Sequence, residues 1–482
     1  MGASVTRFDY LIIGSGFGSL FFLHKLKALE PDAKIAVIEF GKRLDRDWQI
    51  SNQKNAAKPS KEFHDQRDDQ KPWNYTIGFG GGTNCWFGQA MRFVPGDFKM
   101  KSSYGVMEDW PFSYDDLEPF YQEAEEIMLI SGDDSMRLVS PRKKSFPLPP
   151  HRMSSVDQVM REAYPKLHFP IATARAPVVT EKRGRCCATA NCRLCPVDAK
   201  FTAFNGLQHL INDKSISFFY ESEVISIKHQ NGKATGVVFN DAKGVKNEVD
   251  ADVVVLGANG IQSPAILLRS GLNHPMTGIG VCEQHGSEYE VLLNGLKNFD
   301  GGTITTSLNY SLYDGAHRAD KGASLLFFEN RLKFGLRPEY GRWQEYLPLI
   351  INVEDQPQQS NKVYVTAQGK AFVEHAGVSQ YAHDGLAYAE KMLPEILAPL
   401  PVEKIIPRGI RATESHIQCS LRAGNSASTS VLNKNSVHHD VANLIVVGSS
   451  TFTTCPPANP SLTVAATALR AAQLWVANKG VA

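Results

Sequence analysis

The chain reads as an α/β protein with a buried parallel sheet. An apolar strand, Asp9 to Ile13, runs into a glycine-rich turn and a helix from about Gly18 to Leu29, and a second strand follows at Lys34 to Glu39. Strand, turn, helix and strand in that order make a βαβ unit. Much later, Val253 to Leu256 and Ile445 to Gly448 are short apolar runs typical of strands covered on both faces.

The remaining elements can be read in order. Lys42 to Asn74 is polar with few apolar anchors, and is expected to be a long surface excursion. Ser113 is placed to cap a helix running through Glu125 and Met128, with acids in its first turn. Ser215 to Asn240 suggests paired strands turning at Asn231-Gly232, and a helix is expected after Pro264. Residues 300 to 400 mix aromatic strands with a helix near Asp384 to Leu397, and Pro460 to Ala477 closes the chain as a helix.

Composition sets the outer limits. At 482 residues the chain has room for two or three domains. A net charge of +1, with Lys and Arg scattered, excludes a basic stripe for nucleic acid. No apolar run reaches the roughly 18 residues that span a bilayer, and Arg470 and Gln473 interrupt the most apolar tail. The apolar run at Tyr10 to Ile13 leads into glycines and not into a cleavage site, so no signal peptide is read. A cytoplasmic location is the default expectation; export on a partner subunit's signal would leave no trace in this sequence.

The first turn, Gly14-Ser15-Gly16-Phe17-Gly18-Ser19, suits a dinucleotide. Its glycines let backbone N–H groups approach a pyrophosphate at the helix N-terminus. Glu39, at the end of the second strand, stands where an acid accepts from ribose hydroxyls. Ser19 occupies the place of the usual third glycine or alanine and is small enough for close helix–strand packing.

Four further segments resemble the glucose–methanol–choline oxidoreductases, in that family's order. They are Gly80-Gly81-Gly82-Thr83-Asn84-Cys85-Trp86, Asp109 to Pro119, Gly257 to Pro264 with Leu267 to Gly271, and Ser415-His416 through Asn459-Pro460-Ser461-Leu462-Thr463. Residues 287 to 410 carry no clear resemblance. The resemblance implies a Rossmann-like FAD-binding domain built from 1–105, 186–286 and 411–482. It also implies an α+β substrate domain with an antiparallel sheet from 106–185 and 287–410. Flavin contacts are implied at Gly14, Gly16, Gly18, Ser19, Glu39, Gly81, Gly82, Thr83, Asn84, Cys85, Val224, Ala258, Ser449, Asn459, Pro460 and Leu462.

The signature is most similar to that of sugar-oxidising members related to pyranose oxidases. Some of those attach the flavin through a histidine beside the tryptophan. Cys85 stands there in this chain, which rules out a histidyl bond. Non-covalent FAD is the expectation, and a cysteinyl bond to Cys85 the alternative.

Alcohol oxidation needs a base for the hydroxyl proton, and histidine suits that role near neutral pH. The resemblance implies His416 as the base and Asn459 as its partner on the same oxygen. His285 is read as structural, and His438 and His439 as part of a surface turn. The expected substrate is a sugar, glycoside or polyol, oxidised at a CH–OH group by hydride transfer to flavin N5. An external acceptor or O2 would take the electrons, and a small partner subunit is one expectation. The competing readings are a sterol or long-chain alcohol enzyme, which the apolar stretch Leu325 to Phe334 would favour, and a flavin-dependent lyase or isomerase.

Cys186, Cys187, Cys192 and Cys195, the last followed by Pro196, resemble an iron–sulfur ligand loop. Sugar dehydrogenases of the family carry a three-iron cluster in a similar loop, with a last gap of three residues where this chain has two. Buried free thiols or a local disulfide are the alternatives.

Overall fold

The computed structural model describes residues 7–67, 71–189 and 192–479. Its first layer is a seven-stranded sheet. Four neighbouring strands run parallel in the order Ile216–Phe219, Ile35–Ile38, Arg7–Ile13 and Lys246–Leu256. The last of these is long enough to serve two partners. Its first half pairs antiparallel with Lys233–Asn240 of a hairpin that turns at Asn231-Gly232, and its second half pairs parallel with Leu444–Val446.

Both faces of the parallel strands are covered, which explains their uninterrupted apolar runs. Tyr10, Ile12, Val37, Val253, Val255 and Ile445 pack under the helices Phe17–Leu29 and Ser461–Asn478. Leu11, Ile13, Ile38, Val254, Leu256 and Val446 face the opposite core with Val237, Phe239 and Leu421.

The second layer is an antiparallel sheet of six strands, ordered Val402–Ile410, His285–Leu293, Tyr346–Val353, Ser324–Glu329, Thr305–Asn309 and His168–Pro170. Leu326, Phe328, Leu347, Leu349 and Ile351 pack against the helix Gln380–Ile396. The alternating residues Leu325, Phe327 and Ile350 face the other way, toward the parallel sheet. A third, three-stranded sheet joins Lys362–Val365, Ala371–Glu374 and His64–Gln66.

Three local expectations need correction. The stretch from Lys42 is not a featureless excursion: it holds the helix Arg46–Asn52, capped by Asp45, and the strand His64–Gln66. Its residues 68–70 lie outside the described residues. The helix expected after Pro264 starts earlier, at Asn259, and contains the proline. Asn259 Oδ1 accepts from the N–H groups of Ile261 and Gln262, and the Gly260 carbonyl that Pro264 leaves without a donor accepts from Ser420 Oγ at 2.7 Å. His438 is buried and does not sit on a surface turn; only its neighbour His439 is half-exposed.

Ser113 caps the helix Tyr114–Met128 in a reciprocal box with Asp116. That helix packs on Ser461–Asn478, with Tyr121 and Thr463 hydroxyls 2.8 Å apart. It also carries Glu125, fully buried, which accepts two guanidinium forks: from Arg92 at 2.8 and 2.9 Å and from Arg142 at 3.0 and 3.1 Å. Glu125→Ala leaves both buried cations short of their shared partner. A loss of about 3–5 kcal/mol is expected, read as a lower midpoint in chemical denaturation.

Candidate active site

A cavity of about 880 Å³ opens where the parallel strands end. Such crevices beyond the carboxyl ends of parallel strands are where this architecture binds ligands. Its floor is the glycine turn after Ile13, Glu39 after Ile38, Gly257 to Gly260 after Leu256, and Gly448-Ser449. Residues 54–60 strap one side, and Phe327, Glu329, Ile350 and Asn352 of the antiparallel sheet form the opposite wall.

The floor is shaped by close backbone contacts. Gly14 has φ +86°, and a Cβ on it would lie 2.6 Å from the Gly257 carbonyl oxygen. A Cβ on Gly18 would lie 2.8 Å from Gly448 N. Gly16 and Gly82 have open space where a Cβ would be, and Gly16 caps its helix without any side-chain hydrogen bond. The unpaired N–H groups of that helix therefore face the cavity, an arrangement that suits a phosphate group. The residues present fit FAD.

Glu39 accepts from Ser15 N–H at 3.0 Å and Ser15 Oγ at 2.6 Å through one oxygen, and from Gly41 N–H at 2.8 Å through the other. Burial pushes its carboxyl up. Glu39 lines the cavity at the place where an acid meets a ribose. Gly81, Gly82, Cys85, Val224, Ala258, Ser449 and Pro460 line the cavity. Four of the expected contacts do not. Thr83 accepts from Ala203 N–H and Asn84 donates to the Phe79 carbonyl, so both hold the turn from behind. Leu462 is in the core, and Ser19 packs its hydroxyl against the Gly257 carbonyl.

His416 and Asn459 come together. His416 Nε2 lies 3.4 Å from Asn459 Nδ2, and its Nδ1 lies 3.1 Å from Gln284 Oε1. The Gln284 amide is oriented by its other end: Nε2 donates to the carbonyls of Pro456 at 2.8 Å and Ala458 at 3.0 Å. Carbonyls only accept, so the oxygen must face His416, and His416 Nδ1 must carry the proton. Nε2 is thereby left as a lone pair. The backbone N–H of His416 donates to Glu283 Oε1 at 2.6 Å, and Glu283 also takes Thr413 Oγ1 and Lys71 Nζ. Burial, with Arg411 and Lys71 nearby, lowers the His416 pKa to about 3.

Sequence reasoning missed Gln284, Glu283 and the strap. The signal was close: Glu283-Gln284 directly precede His285, which drew attention only as a histidine. His285 opens a strand and packs on His383.

The cysteine loop does not assemble the expected iron–sulfur ligand set. Among the described residues no three or more His, Cys, Asp or Glu side chains are arranged to hold a metal. Cys187 is exposed and turned to Thr189, Cys186 faces Thr303, and Cys195 Sγ accepts from Ala199 N–H. Ala190 and Asn191, within the loop, lie outside the described residues. The carbonyls of Cys192 and Arg193 close instead around the ammonium of Lys200. Cys282, Cys419 and Cys455 are buried free thiols just behind His416.

Residues 73–285 match the N-terminal and residues 385–468 the C-terminal family model described as GMC oxidoreductase. Together the matches span more than half of the chain, and the chain belongs to that family. It is an FAD-dependent oxidoreductase acting on CH–OH groups. The fructose dehydrogenase large subunit of Gluconobacter japonicus is 26% identical, covering 96% of this chain and 97% of that one. The 2-methyl-1,2-propanediol dehydrogenase of Mycolicibacterium austroafricanum is 24% identical over 98% and 95%. Among solved structures, pyridoxine 4-oxidase from Mesorbium loti shares the fold with a TM-score of 0.65, at 16% identity over 97% and 99% of the two chains. Among the described residues no helix is long and apolar enough to cross a membrane.

Gly14→Ala combines a disfavoured φ with a clash on the Gly257 carbonyl. Titration of apoprotein with FAD is expected to show affinity roughly 10- to 100-fold weaker than in the parent protein.

Proposed function

We propose that the protein oxidises a hydroxyl of a sugar, glycoside or polyol to a carbonyl, with His416 as base and Asn459 holding the same oxygen. The Nδ1–H···Gln284 hydrogen bond carries this reading, because it fixes the tautomer in which Nε2 holds the lone pair that takes the proton. Bound FAD supplies the acceptor for the hydride, N5 of its ring. The substrate hydroxyl delivers its proton to His416 Nε2. The imidazolium so formed keeps its Nδ1–H on Gln284, and the Asn459 amide keeps the oxygen in line.

His416 needs no deprotonation before turnover, since its low pKa leaves it neutral at working pH. A lone pair that is always present, in a geometry already fixed, replaces basicity with readiness.

Two observations favour a polar substrate over a sterol. Leu326 and Phe328, two of the six apolar residues in the stretch Leu325 to Phe334, point away into the separate core under Gln380–Ile396. The wall that remains includes Gln89, Glu329, Arg331, Asn352 and Arg411. The relatives named for fructose and for a propanediol support the same class. FAD is held non-covalently in this reading; Cys85 Sγ is shared with Thr76 Oγ1 at 3.3 Å. A relative that is itself a large subunit supports a partner subunit and an external electron acceptor. Eight free thiols suit a reducing compartment such as the cytoplasm.

Acid precipitation should release the flavin absorbance into the supernatant; flavin retained in the pellet would instead indicate a covalent link. His416→Ala should lower kcat by roughly 10²- to 10⁴-fold while FAD is retained. The pH profile checks the environment of the base. The unprotonated form is the active one, so kcat/KM should stay flat as pH falls toward about 5 and drop only near the lowered pKa. Lys71→Met removes a cation that opposes protonation, so its acid limb should move upward.

A further inference from the structure

Two described cavity-lining residues, Asn459 and Asn352, each have a buried amide oxygen with no hydrogen-bond partner. Asn459 belongs to the catalytic pair. Asn352 does not. It lies on the strand Tyr346–Val353, 3% exposed, across the cavity wall. Its cross-strand neighbours are Gly286 and Leu325, neither of which offers a donor side chain. Gly286 has no side chain because Glu414 and Arg411 fold over it: a Cβ there would meet Glu414 Oε1 at 2.0 Å and Arg411 Cδ at 3.0 Å. An amide paired at neither end is costly to bury, and at the cavity wall a group that enters the cavity can satisfy it.

The charges beside it are already matched. Glu329 pairs with Arg331, and Glu414 with Arg411. Arg411 also reaches Glu288 at 2.8 Å, and Glu288 takes Lys333. Three carboxylates thus face three cations, and a charged substrate of either sign would have to break an ion pair to bind.

Resting on the alcohol-oxidising reading of the site, we propose that Asn352 is the specificity-determining residue, its amide hydrogen-bonded to a second hydroxyl of a neutral polyol or sugar. Neutral substrates with several hydroxyls are selected by that hydrogen bond. Monofunctional alcohols leave the amide unpaired, and sugar acids and amino sugars meet a wall whose charges are spent.

The test is a substrate panel with the FAD-loaded enzyme and an artificial electron acceptor: fructose and sorbitol as neutral polyols, gluconate as an anion, glucosamine as a cation, and cyclohexanol as a monofunctional alcohol. The parent enzyme should prefer a neutral polyol over the other three by kcat/KM. Asn352→Leu should narrow the polyol-over-cyclohexanol preference by roughly 10- to 100-fold. Leucine fills similar volume and removes an unpaired polar group, so thermal stability should hold or rise. A lower Tm, failure to fold, or an equal loss on all substrates would make Asn352 a structural residue and overturn the proposal. So would a parent enzyme that takes gluconate, glucosamine or cyclohexanol as well as fructose or sorbitol. If no alcohol of the panel bleaches the flavin anaerobically while dithionite does, the reading of the site as an alcohol-oxidising one fails, and the proposal falls with it.

Discussion

The constraint on which the rest depends is the backbone contact among three strand ends. Gly14 leaves the strand Arg7–Ile13 against the Gly257 carbonyl, and Gly18 starts its helix against the backbone of Gly448. No side chain fits between these segments. Packing at this density admits no extra methyl without displacing backbone. The closeness seats the helix Phe17–Leu29 directly over the sheet, with its uncapped N-terminus at the crevice. It also sets where the helix Ser461–Asn478 must lie, because that helix packs on Phe17–Leu29 through one shared core. Asn459, just before it, is therefore delivered to the cavity by the same contact that makes the cofactor cradle.

The base reaches the same place by a different route. The chain re-enters the antiparallel sheet through Glu283-Gln284 and leaves it through Arg411 to His416. The entering strand His285–Leu293 and the leaving strand Val402–Ile410 are paired neighbours, with Ser287 opposite Ile410. Residues 132 positions apart in sequence, Gln284 and His416, are thus adjacent because one strand begins where its partner ends. Gln284 then ties the pair to the third segment through the carbonyls of Pro456 and Ala458. One amide side chain orients the histidine and anchors the turn that carries Asn459.

What the sequence made legible follows this division. The βαβ unit, the acid at Glu39, the cap at Ser113 and the hairpin at Asn231-Gly232 are set by neighbours within a few residues, and all were readable. The start of the helix at Asn259 was not, because the donor that compensates Pro264 is Ser420, far away in sequence. Gln284 escaped for the same reason: glutamine has no spacing signature, and its role exists only once the sheet register brings His416 beside it. The strap was read as excursion because its polar residues face a cavity, and polar composition looks the same toward solvent as toward a cofactor. Ser19, Thr83, Asn84 and Leu462 show the converse, since a residue can belong to a binding segment while its side chain faces the core.

The cysteine loop is tied to the flavin side by a buried cation, Lys200. The ammonium is fully buried and donates to the carbonyls of Asn84, Trp86, Cys192 and Arg193 at 2.6 to 3.3 Å. Burial lowers its pKa to about 8, so it is still charged at neutral pH. With four carbonyl oxygens and only three donors, its hydrogens are shared among them. No carboxylate takes part in those bonds, so the charge is balanced by dipoles of the two loops it joins. Moving either loop would strand a buried cation, and that cost falls directly behind Cys85 and Trp86 of the cavity wall. A buried charge thus contributes to the rigidity of the wall.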